Sequence, residues 1–170
     1  MNVNQSVRQF FLDGLFGLGI TVVLFLLMNV CAAGLAFYLF SPLISVTIIT
    51  SFLGTGLGTP LLANVSSRAS WLISLFGVSL ISWLVSVGSI IAYITLFVQP
   101  GYRNSELHSL PVYAAYSAFG AGIGFAIAGL IGLIFQPVRW ESKAFLSSMI
   151  NAFTGYVFPI LYVLTAAIPT

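Results

Sequence analysis

Gly120-Ala-Gly-Ile-Gly124-Phe-Ala-Ile-Ala128-Gly-Leu-Ile-Gly132 decides the reading of this chain. At helical pitch, Gly120, Gly124, Ala128 and Gly132 recur every four residues and make one smooth ridge. Between helices in a bilayer, small residues at this spacing let two backbones approach closely, and contact replaces the hydrophobic drive that lipid does not supply. The stretch therefore predicts a membrane helix built to be gripped by another helix.

The composition around it agrees. The 170 residues are 59% hydrophobic and 5% charged, against about 25% charged residues in ordinary soluble domains. Arg8, Asp13, Arg68, Arg103, Glu106, Arg139, Glu141 and Lys143 all fall outside the long apolar runs, as the cost of charge in hydrocarbon requires. One cysteine, Cys31, excludes an internal disulfide or a multi-cysteine metal site. A net charge of +2, scattered along the chain, gives nucleic acid no surface.

Working outward, the sequence divides into a polar lead at 1–13 and a single transmembrane domain at 14–167. Spans are expected at about 14–40, 43–63, 71–98, 113–135 and 145–167, each near or above the roughly 20 residues a helix needs to cross. The first run is too long for a signal peptide and carries Asn29 in its middle. Ser41-Pro42 reads as the break before span two, and Pro100-Gly101 as a turn opening a loop. Gly54, Gly56, Gly58 and Pro60 weaken the second run, so four spans plus a re-entrant segment is the alternative. The fold class is all-α, a polytopic helical bundle. Five spans place Arg8, Arg68, Arg139 and Lys143 on one side and Arg103 on the other. The positive-inside rule then puts the N-terminus on the cytoplasmic side and the C-terminus opposite. Trp71, Tyr102, Tyr113 and Trp140 fall at the expected interfaces, where aromatic rings anchor spans. Low charge and short loops suit a bacterial plasma, thylakoid or mitochondrial inner membrane alike.

Ser51-Phe-Leu-Gly54-Thr-Gly56-Leu-Gly58 echoes Ser117-Ala-Phe-Gly120-Ala-Gly122-Ile-Gly124 at the serine and all three glycines. Spans two and four would run in the same direction, so two hairpins related as a parallel repeat are one reading and chance the other. Gly54 and Gly58 join Gly120, Gly124, Ala128 and Gly132 as expected packing positions.

Span three carries Ser79, Ser82, Ser86 and Ser89 on one face, continued by Tyr93. With Asn29 this seam either lines a path for a small polar solute or hydrogen-bonds a neighbouring backbone. Packing is the preferred reading, with the glycine ridge as the seam's partner. Asn29 and Asn151 should find partners too, since an unpaired amide in lipid is costly. Pro159 leaves the Gly155 carbonyl without its helical donor, free for an ion, a serine or water.

His108, beside Glu106, Ser105 and Ser109, has the residue types of a hydrolytic triad. A triad needs a fixed constellation with an oxyanion hole, and these residues sit in a short loop. No metal site, cofactor or catalytic residue is expected. From Gly120 onward the text resembles the rotor-ring proteolipids of rotary ATPases: a glycine-ladder helix, Gln136-Pro137 in the loop, then Ala152-Phe153-Thr154. Gly155 stands where that family carries its essential carboxylate, so the resemblance implies a relative that carries no ion.

The function expected is a non-catalytic integral membrane subunit of a larger assembly, with lipid, other subunits or copies of itself as partners. The alternative is a small oligomeric channel or carrier lined by the serine seam.

Overall fold

A computed structural model describes residues 3–31, 36–63, 65, 68–134 and 140–166. Six helices and no strands occur among the described residues: α1 (Val3–Cys31), α2 (Ala36–Ala63), α3 (Arg68–Phe97), α4 (Pro100–His108), α5 (Leu110–Ile134) and α6 (Trp140–Ala166). Five of them, all but α4, are long and apolar enough to cross a membrane. In lipid a backbone must satisfy its own polar groups, and an α-helix does so within one segment.

α6 is the hub. It packs along α5 and α2, meets α3, and touches α1, which otherwise rests on α2. Two apolar clusters close the ends of the interior: Leu62, Trp71, Leu75, Val78, Ala128 and Ala144 at one, and Val46, Ile90, Ile94, Tyr156 and Ile160 at the other.

Three boundaries differ from the sequence reading, each for a local reason. Helix α1 begins at Val3, so the lead at 1–13 is helical from there and carries Arg8 and Asp13. Phe10 and Phe11 hold this extension against Phe52 of α2, with ring centroids at 5.4 and 5.9 Å. Ser41-Pro42 is not a break but lies inside α2; proline removes one backbone bond, which a membrane helix tolerates where its neighbours compensate. Pro60 and the glycines before it likewise leave α2 continuous to Ala63. The loop opened by Pro100 is the short helix α4, with proline in its first turn, where the missing N–H has no helical acceptor to lose.

Trp71 is also placed differently. It is 1% exposed, and its indole occupies the space a side chain on Gly132 would need. It fills the interior rather than anchoring a span at the lipid surface. Tyr102 remains exposed and Tyr113 is half-buried, while the side chain of Trp140 lies outside the described part.

Candidate functional site

The interior between α2, α3, α5 and α6 is lined by hydroxyls. Thr47, Thr50, Ser51, Thr55 and Thr59 of α2 are buried, with Ser79, Ser82, Ser86 and Ser89 of α3. Ser117 of α5 and Ser147, Ser148, Asn151 and Thr154 of α6 complete the lining. The outer face is apolar, with Phe16, Ile73, Phe76, Leu96 and Ile134 among its exposed side chains. Many of these hydroxyls turn back on their own helix: Thr59 donates to the Thr55 carbonyl at 2.8 Å, Ser89 to Val85 at 2.7 Å and Thr154 to Ile150 at 2.9 Å. Such bonds let a polar side chain enter a membrane interior at small cost.

The others tie helices together. Ser79 Oγ donates to Asn151 Oδ1 at 2.6 Å, and Asn151 Nδ2 donates to the Ser147 carbonyl at 2.9 Å. Ser86 and Ser117, from α3 and α5, both donate to the Gly155 carbonyl, at 3.0 and 2.7 Å. This is the carbonyl that Pro159 deprives of its helical donor. Both lone pairs are taken by protein hydroxyls. Ser148 donates to the carbonyls of Gly54 and Thr55 at 3.1 and 3.3 Å, and Thr50 donates to Ser89 at 3.3 Å.

The serine seam thus faces α6 and α2, not the glycine ridge. The ridge itself divides. Gly120 lies against the Thr154 carbonyl, and a methyl there would also reach Phe158 at 3.0 Å. A methyl on Gly124 would collide with the Thr154 hydroxyl and lie 3.0 Å from Asn151 Cα. Ala128 and Gly132 belong instead to the surface around Trp71.

The two echoed glycine pairs meet α6 on two different faces. A methyl on Gly54 would lie 2.8 Å from Ala152 Cβ, and one on Gly58 would collide with Ser148 and lie 2.9 Å from Val78. Gly54 and Gly120, and Gly58 and Gly124, are the corresponding positions of the echo, and each pair seats α6 against its helix. The serines correspond as well. Ser117 bonds Gly155, and Ser51 faces the next residue, Tyr156.

Asn29 lies on α1, and its side chain is outside the described part, as is that of Cys31. At the far end, Glu106 accepts a hydrogen bond from Tyr113 at 2.8 Å, while Ser109 donates to the Ser105 carbonyl at 3.5 Å. His108 is exposed and shares in neither bond. No group of three or more metal-ligating side chains occurs among the described residues.

Several contributors escaped the sequence reading. Thr47, Thr55 and Thr59 repeat every four residues along α2 in line with Ser51 of the echo, a signal hidden by the neighbouring glycines. Gly14 and Gly17 of α1 seat against Phe52 and Thr55, and Ser148 and Tyr156 carry no motif of their own. Comparison with protein-family models, curated proteins and solved structures finds no match.

Proposed function

We propose that this chain is a non-catalytic integral membrane subunit whose bundle is closed on itself and whose apolar outside meets lipid and other membrane proteins. The observation that carries this reading is the Gly155 carbonyl. It is the backbone acceptor that Pro159 frees at the centre of α6, and Ser86 and Ser117 occupy it. The best-placed oxygen for an ion or solute is spent on holding three helices together. Three of the four seam serines, Ser79, Ser86 and Ser89, likewise use their hydroxyls on protein acceptors. A carrier path along that seam would have to break these bonds.

The continuous α2 supports five spans, with Arg8, Arg68, Arg139 and Lys143 on the cytoplasmic side. Because Gly54, Gly58, Gly120 and Gly124 are used inside the chain, the surface offered to a partner lies elsewhere. A shallow apolar groove between α3 and α5, bordered by Phe76, Leu80, Trp83, Ala118 and Gly122, is one part of it.

The test is extraction in a gentle detergent followed by native mass determination and identification of whatever co-migrates. Different proteins in the band support an accessory subunit. A band containing only this chain in a fixed small number of copies favours the channel or carrier reading instead.

A further inference from the structure

Three hydroxyls without a protein partner converge beside α1. Thr47 and Ser51 lie one turn apart on α2 and Tyr156 lies on α6; they are 1%, 0% and 0% exposed. Thr47 Oγ1, Ser51 Oγ and Tyr156 Oη make no hydrogen bond among the described residues. The Tyr156 hydroxyl nevertheless faces Ser51, Thr47 and Thr21 of α1 closely enough for each to act on it. Thr21, itself 1% exposed, has already committed its proton, donating to the Gly17 carbonyl at 2.7 Å. It offers only oxygen lone pairs to the group.

Leaving several buried hydroxyls bare at one place is costly, more so with hydrocarbon outside. None of the three meets another in hydrogen-bond geometry. One small species that both donates and accepts would satisfy them all. A buried water does this, typically with about three hydrogen bonds to groups of this kind. Such a water accepts from two of the three hydroxyls and donates to the third and to Thr21, so that each of the four oxygens gains a partner. A bare cation would need every oxygen as an acceptor with its proton turned away, and only Thr21 is arranged so.

We infer that Thr21, Thr47, Ser51 and Tyr156 form a binding site for a single water molecule that joins α1, α2 and α6. The site gives α1 a polar tie to the hub helix, beyond its glycine contacts with α2. It stands independently of the subunit reading, since a carrier and a scaffold would both need it filled.

The test uses the intact chain in one detergent. Thr47→Val keeps the shape and removes the hydroxyl, and Tyr156→Phe does the same on α6. Each should lower Tm by about 2–4 °C for a lost bridge in a chain of this size. The double variant should fall little further, because either change releases the same water. An unchanged or higher Tm for Thr47→Val, or strictly additive losses, overturns the site. So does a wild-type Tm that rises with sodium chloride over choline chloride at equal ionic strength and loses that rise in Tyr156→Phe, since the occupant would then be a cation. An experimental structure that resolves solvent is the second check. Density within hydrogen-bond reach of Tyr156 Oη, Thr47 Oγ1 and Ser51 Oγ is expected, and none there overturns the inference even if the variants fail to fold.

Discussion

Ser117 Oγ on α5 donates to the carbonyl of Gly155 on α6 at 2.7 Å. The bond exists because Pro159, four residues on, has no N–H to give that carbonyl. Ser86 of α3 takes the second lone pair at 3.0 Å, so a defect in one helix becomes the joint of three.

That relationship predicts a thermodynamic coupling. Ser117→Ala should cost about 1 kcal/mol, the size of an interhelical hydroxyl bond in a membrane. Pro159→Ala restores an N–H able to reach the Gly155 carbonyl, so the same serine deletion should cost less in that background. Unfolding of the four chains by a denaturing detergent in mixed micelles measures the cycle. Equal serine costs in both backgrounds would show that Pro159 does not set the value of the bond.

Two glycines of one helix should respond oppositely to the same change. A methyl on Gly120 meets the Thr154 backbone, whereas one on Gly122 meets nothing within 4 Å. Gly120→Ala must push α6 away, at roughly 1–3 kcal/mol for overpacking. Gly122→Ala should be neutral or stabilising by up to about 1 kcal/mol, the helix preference of alanine over glycine. Detergent-unfolding midpoints read both. Similar losses at the two positions would contradict the packing of α5 on α6.

Helices and their approximate runs were legible because apolar length in a nearly uncharged chain has one physical solution. Gly120, Gly124, Ala128 and Gly132 were legible as one side of a helix, but what lies against them was not. Spacing says which residues share a side of a helix, and nothing about which helix lies opposite. The Ser41-Pro42 break was misplaced because proline punctuates soluble helices more strongly than membrane ones, where neighbours make good the lost bond. The hydroxyls of α2 were overlooked for a related reason: a serine or threonine inside a span carries no sign of what it faces, so the role of Thr47 and Ser51 emerges only once Tyr156 is brought opposite.

Asn151 offers a graded test of the polar interior. It accepts from Ser79 at 2.6 Å and donates to the Ser147 carbonyl at 2.9 Å, with Gly124 packed on its Cα. Ser79 has a second acceptor, the Leu75 carbonyl at 3.0 Å, so losing the amide does not orphan it. Asn151→Ala should therefore cost about 1–3 kcal/mol, mostly from the vacated space and lost amide contacts. Ser79→Ala should cost less than about 1 kcal/mol. The reverse order in detergent unfolding would mean that the serine, and not the amide, organises this level of the bundle.

The last prediction concerns α4, which has little else to hold it. Nothing in it is buried. Among the described residues its side-chain hydrogen bonds beyond its own span are the Tyr113 hydroxyl on Glu106 at 2.8 Å and a long contact from Arg103 to the Val98 carbonyl at 3.4 Å. A segment with few buried contacts opens locally, at a free energy well below that of the whole fold. Tyr113→Phe keeps the ring against Tyr162, 6.0 Å away between centroids, and removes only the donor to Glu106. It should therefore speed amide hydrogen exchange across Arg103–His108 by about five- to tenfold, the equivalent of roughly 1 kcal/mol. Exchange in α5 and α6, and the global unfolding midpoint, should stay where they are. Glu106→Gln keeps an acceptor oxygen for Tyr113 but removes the charge that strengthens the bond, so its effect should be in the same direction and smaller. Unchanged exchange in α4 with Tyr113→Phe would show that the helix is held by its backbone continuity with α3 and α5 and owes nothing to this hydrogen bond.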